Sequence, residues 1–250
     1  MAKSETSAID WRAELRALYP TRQELPFCAA LEAGDVDRPG VLRAEAVEFY
    51  RAINTRGRLH AGYVDKARAA CDAGRLSQRD VDLIEDLLAD EGETEDHIDH
   101  VDMRYKLYRH TPVDRGVLPR HDATIESINR QWMEICDEAD IFELIAIMGA
   151  IEDWYAPMSE FFEVEYRSRG FGDDELEIFI VHKDADVEHS TIQFELLERS
   201  DCDSTAVLDM VRRTFVTSRA YDASKLRLAR SGFSLSELFD FSEQADGVTP

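Results

Sequence analysis

The sequence predicts an all-α fold, a single domain built as a bundle of about seven or eight helices, and three observations lead there. Apolar residues recur at helical spacing along most of the 250-residue chain. Val81, Ile84, Leu87 and Leu88, for example, step i, i+3, i+6, i+7 along one buried stripe. Most of the glycines and prolines fall between such blocks, where they act as breaks, and no linker divides the chain in two.

Taken in order, an opening segment runs through Leu25-Pro26-Phe27 to a break at Asp35-Val36-Asp37-Arg38-Pro39-Gly40. A long helix is predicted over 42–71, closed by Gly74. Ser77 is a credible N-cap for the next helix, which Gly92 interrupts. A helix over 93–109 then ends before Pro112, and others follow over 122–138, 140–168, 174–199 and 203–226. The packed core is expected over about 24–226, with 227–250 a partly disordered tail.

Composition removes several function classes. A formal net charge of −23 makes nucleic acid or an anionic membrane surface an unsuitable partner, since phosphate binding needs clustered Lys and Arg. Cys28, Cys71, Cys136 and Cys202 are widely spaced with no CxxC, which reads as four free thiols in a cytoplasmic protein. No run reaches the ~18 apolar residues of a membrane span.

The chemistry concentrates in a few segments. His182, Asp186 and His189 stand at i, i+4 and i+7, so a helix presents two imidazoles and a carboxylate on one stripe. That donor set suits iron or manganese better than structural zinc. A second heptad-spaced set, Glu93, His97 and His100, lies in the acidic run 90–100. Glu152 ends the nearly all-apolar run 142–152, and a carboxylate on a buried helix needs a cation unless it reaches water. Glu93 with His100, Glu152, and His182 with Asp186 and His189 supply three carboxylates and three histidines from three helices, which suit two metal ions, and bundles carry such donors on facing helices. The ferritin-type pair of Glu-x-x-His motifs is absent.

This order and spacing resemble the haem-oxygenase-like dimetal oxidases, the iron-containing redox enzyme family, whose fold is shared with TenA-type thiaminases and pyrroloquinoline-quinone synthases. Beyond the donors, the resemblance covers Leu25-Pro26-Phe27 with Ala30-Leu31-Glu32-Ala33-Gly34, Val47-Glu48-Phe49-Tyr50, Ala150-Ile151-Glu152 followed by Pro157, and Phe179-Ile180-Val181-His182. It implies a haem-oxygenase-like, TenA-like bundle with Glu93, His100, Glu152, His182, Asp186 and His189 as ligands to two Fe(II) ions per chain, manganese being the alternative metal. Glu91 is a rival for Glu93, and His97 an alternative to His100 or an additional ligand. Some N-oxygenating relatives carry a carboxylate where His97 stands.

The resemblance further implies a dioxygen-activating oxidoreductase in a biosynthetic pathway, acting on a small amine or amino-acid-like molecule by N-oxygenation or oxidative remodelling. Dioxygen would be the cosubstrate, the electron donor is unidentified, and a homodimer is compatible with the fold. The expected substrate pocket includes Tyr50, Trp154, Phe179 and Arg213, with Phe49, Ile53 and Met148 nearby. Two competing classes remain open: a metal-free enzyme of the TenA kind with Cys136 as nucleophile, and a non-catalytic binding protein.

Overall fold

The computed structural model describes residues 9–90, 100–108 and 123–238, with backbone alone at 49–54, 56, 90, 100, 101 and 236. Every regular element among them is helical: α1 Trp11–Arg16, α2 Pro26–Glu32, α3 Arg38–Asp72, α4 Gln78–Asp90, α5 His100–Lys106, α6 Ala123–Glu138, α7 Ile141–Arg167, α8 Glu177–Glu198, α9 Ser204–Ala229 and α10 Leu235–Leu238. The all-α bundle expected from the periodicity is present. No described helix is long and apolar enough to cross a membrane.

Local chemistry sets the helix ends. Asp37 caps α3 by accepting from the Gly40 amide at 2.8 Å, so Pro39 and Gly40 sit in the first turn rather than in a break. Gly40 is needed there, because a Cβ would lie 2.9 Å from Val36 Cγ1 and 3.2 Å from the Ala229 carbonyl. Gly74 takes φ +72° after α3, as a helix-closing glycine should. Ser77 caps α4, its Oγ accepting from the Asp80 amide at 3.2 Å. Asp140 and Glu143 form a reciprocal capping box at the start of α7.

The long helices enclose two hydrophobic clusters. One gathers α2, the first part of α3, the second half of α7, the start of α8 and the end of α9. The other gathers α1, the second half of α3, α6, the first half of α7, the end of α8 and the start of α9. Helices α7 and α8 run antiparallel along each other. Gly149 abuts Gln193 and Phe194, while about four turns further along α7 Glu163 meets Lys183 at 3.0 Å.

Packing reaches beyond the expected core at both ends. Trp11 and Leu15 of α1 are buried in the second cluster. Arg16 grips Asp153 of α7 with two hydrogen bonds of 2.7 and 2.8 Å, Tyr19 adds a third at 3.0 Å, and Arg12 reaches Thr191 of α8 at 3.0 Å. At the other end α9 continues to Ala229 and Leu238 of α10 is buried in the first cluster, so 227–238 is not tail. The remainder of the expected tail, 239–250, lies outside the described residues.

Candidate metal centre and adjoining cavity

His182, Asp186 and His189 all lie on helix α8. Asp186 and His189 are buried, and His182, two turns before His189, is half-buried. The His182 Nδ1 lies 2.6 Å from the Ile178 carbonyl oxygen. A carbonyl can only accept, so Nδ1 donates and Nε2 is the nitrogen suited to a metal. The neighbouring acids Asp184 and Glu188 are solvent-exposed.

Glu152 stands on the face of α7 that meets α8. Gln193, one turn beyond His189, donates from Nε2 to Glu152 Oε2 at 2.8 Å. Tyr63 of α3 donates in turn to Gln193 Oε1 at 3.3 Å. Burial, and then the Glu152 charge, push the Tyr63 hydroxyl well above its ordinary pKa, so the phenol stays a donor. The chain Tyr63, Gln193, Glu152 thereby fixes one carboxylate oxygen and with it the orientation of the group.

The remaining donors are described only in part. Glu91, Glu93 and His97 lie outside the described residues, and His100, first residue of α5, is described by its backbone. Helix α5 packs on α8, and its Lys106 pairs with Glu177 at the start of α8. Among the described residues no three His, Cys, Asp or Glu side chains are arranged to hold a metal ion. The donor chemistry nevertheless fits iron, since a buried carboxylate and a buried imidazole lie one turn apart on a helix whose facing neighbour supplies Glu152.

The expected pocket residues divide. Trp154 lines a cavity bounded by α2, α3, α6, α7 and α9. Phe179 does not. It is fully buried in an aromatic cluster, 5.7 Å from Phe162 and 5.2 Å from Tyr166 between ring centroids. Met148 packs beside the second hydrophobic cluster. Arg213 points outward and pairs with Glu138 at 2.8 Å. The reason is its register: Val207, Val211, Thr214, Phe215 and Thr217 form the buried stripe of α9, and Arg212 and Arg213 fall off it. Tyr50, with Phe49 and Ile53, is described by backbone only. Cys136, the nucleophile of the metal-free alternative, is buried in the second hydrophobic cluster and is not among the residues lining this cavity.

Sequence reasoning missed the most polar part of the interior. Glu45 is 1% exposed, Lys225 4% and Arg104 7%, and all three meet. The Lys225 Nζ is 2.7 Å from Glu45 Oε1 and 4.0 Å from Glu48 Oε1, Arg104 is 3.4 Å from Glu45 Oε2, and Tyr166 donates to Glu45 Oε1 at 2.6 Å. Burial opposes the charge on Lys225, but Glu45 and Glu48 outweigh it and raise its pKa. Arg104 is likewise disfavoured by burial and held charged by Tyr155, Glu48 and Glu45. Nearby, Asp222 accepts from the Phe27 amide at 2.7 Å and from the Cys28 thiol at 3.3 Å. A signal was available, since Glu45 and Glu48 share a face of α3 with Val41 and Leu42, two acids on an apolar stripe.

Tyr155 joins the two regions. Its ring lines the cavity and meets the His182 ring edge-on, with centroids 6.3 Å apart. Cavity and α8 donors are therefore neighbours across a single aromatic side chain.

No family model matches the chain. No curated protein matches it either. Among solved structures, the crystal structure of a CADD-like protein of unknown function from Nostoc punctiforme is similar, with a TM-score of 0.62 at 13% identity over 90% of this chain and 99% of that one. The chain thus has the all-α bundle of that CADD-like, haem-oxygenase-like structure.

Proposed function

We propose that the chain is a non-haem di-iron oxidase that uses dioxygen to oxidise a small amine or amino-acid-like metabolite. The observation that carries the proposal is the burial of Asp186 and His189 on the α8 face whose facing helix brings Glu152, itself oriented by Gln193. A carboxylate and an imidazole held out of water one turn apart, facing a glutamate on the next helix, form a donor set that suits a metal ion. His182, Asp186, His189 and Glu152 would hold one side of the centre. Glu93 or Glu91, with His100 or His97, would supply the other from the segment leading into α5.

Two ferrous ions held by these residues would supply the reducing equivalents for dioxygen chemistry. The chain's own residues do the rest. Ile178 sets the His182 tautomer, Gln193 holds Glu152, and Tyr155 separates the centre from the cavity in which the substrate would lie.

Anaerobic reconstitution with ferrous iron, followed by metal analysis, tests the reading. About two irons per chain, falling in a His189→Ala variant that keeps its helical circular dichroism, is the expected result. Iron uptake that is absent, or equal in the variant, rejects it.

A further inference from the structure

The walls of the cavity carry a specific imbalance. Among the described residues, Glu45, Glu48 and Asp222 contribute three buried carboxylates to the cavity and the network behind it, against two buried cations, Arg104 and Lys225. Both cations are already committed to Glu45 or Glu48. Asp222 is the surplus acid. It accepts from the Phe27 and Cys28 amides and the Cys28 thiol and senses the Lys225 charge, yet burial still raises its pKa, which an ammonium partner would oppose. The apolar wall includes Trp132, Trp154, Tyr155 and Phe162, whose faces attract cations and repel anions.

A second observation is independent of charge. Trp132 is 5% exposed and lines the cavity, yet its indole N–H has no hydrogen-bond partner among the described residues. One turn earlier on α6, the amide of Asn129, 6% exposed, also lacks partners for both its nitrogen and its oxygen among the described residues. Buried donors are rarely left unmade, because each costs its full desolvation. The indole of Trp154, by contrast, donates to the Pro20 carbonyl at 3.2 Å.

We infer that this cavity binds a primary ammonium compound with an aromatic or apolar body and an oxygen acceptor, its cation toward Glu48 and Asp222 and its oxygen toward the Trp132 indole. A matched carboxylate would add a fourth buried anion beside three and is excluded by the same walls. The net charge of −23 favours the same sign of ligand during approach. This deepens the oxidase reading by naming the substrate class, and as a substrate claim it rests on that reading. Binding itself needs no metal.

The test uses full-length protein stripped of metal with a chelator, at neutral pH, followed by tryptophan fluorescence and calorimetry. Tyramine, 2-phenylethylamine and 3-(4-hydroxyphenyl)propionate share one shape and differ in the acceptor or in the charge. Tyramine should saturate, phenylethylamine should bind about fivefold more weakly for the loss of one neutral hydrogen bond, and the acid at least roughly tenfold more weakly. Trp132→Phe should reduce tyramine to the phenylethylamine level and leave phenylethylamine unchanged. Asp222→Asn, which keeps an acceptor for the Phe27 amide, should weaken both amines. An acid that binds as well as the amine, equal weakening of both amines in Trp132→Phe, or no saturable binding would overturn the inference. Iron uptake measured on the same preparation decides the oxidase reading separately, since either result can hold without the other.

Discussion

Removing the Lys225 charge tests whether the buried network is a unit. Lys225→Met keeps the length and apolar stem of the side chain but leaves Glu45, 1% exposed, without its 2.7 Å cation. Breaking a buried pair from one side strands a charge, and about 3–5 kcal/mol of stability should be lost. Glu45→Gln should cost somewhat less, because Gln keeps an acceptor for Tyr166, whose hydroxyl lies 2.6 Å from Oε1. In that variant Lys225 and Arg104 still have Glu48. The double variant removes both members of the pair and leaves Arg104 facing Glu48. It should be no worse than Lys225→Met alone, which corresponds to a coupling of about 2 kcal/mol or more. Equilibrium urea unfolding of the four proteins, with slopes checked for constancy, measures the cycle. Additivity within about 0.5 kcal/mol would mean that Glu45 and Lys225 do not sense each other and would refute the network.

Other predictions concern the donors and their supports. Gln193→Leu should lower the iron bound per chain and also the melting temperature, because it removes both the donor to Glu152 and the acceptor of the buried Tyr63 hydroxyl; unchanged iron stoichiometry and affinity would remove Gln193 as a positioning residue. Gly149→Ala should destabilise despite a helix-propensity gain of up to about 1 kcal/mol, since its Cβ would stand 3.0 Å from Gln193 Cβ, an atom that cannot swing away, and 3.3 Å from the Phe194 ring; a higher melting temperature would show that α7 and α8 separate at no cost. Asp140→Ala should cost about 1 kcal/mol at neutral pH through loss of the α7 cap. Burial works against ionisation of Asp140, but Arg75 and the Glu143 and Phe142 amides lower its pKa below the usual carboxylate range. Its contribution is therefore present above about pH 4, the unfolded value, and lost as pH falls through the lower folded value. The gap between wild type and Asp140→Ala should shrink on acidification, and a gap that widens in acid would contradict this sign.

The long elements were legible because their signals are local. The stripe and caps of α4, α7 and α9 place each helix within a few residues, and Pro39 and Gly40 misled only because both are tolerated in a first helical turn. The spacing of His182, Asp186 and His189 was legible for the same reason, since one helix fixes it. Arg213 faces away from the cavity because the buried stripe of α9 passes through Val211, Thr214 and Phe215, and Arg212 and Arg213 lie off it. The Glu45–Arg104–Lys225 network was hidden because its members are 59 and more positions apart, and a single charged residue reads the same in sequence whether it meets water or an opposite charge. Glu91, Glu93 and His97 lie outside the described residues, so the sequence remains the ground for that half of the centre.

The grip of α1 on Asp153 and Thr191 has a consequence for the order of assembly. Arg16 and Asp153 are 137 residues apart, and Arg12 and Thr191 are 179 apart, whereas α7 and α8 are joined by a short connection. Closing the longer loops costs more chain entropy, so the α7–α8 hairpin should form first and the amino-terminal segment should fasten onto it late, although it leaves the ribosome first. Until it does, the Asp153 carboxylate has lost the guanidinium and phenol that sequester it, beside the glutamate proposed to hold iron. Helix α1 thus completes a surface made by the second half of the chain, and a shortened chain lacking residues 1–20 should fold as a bundle whose α7 is left unfastened at Asp153.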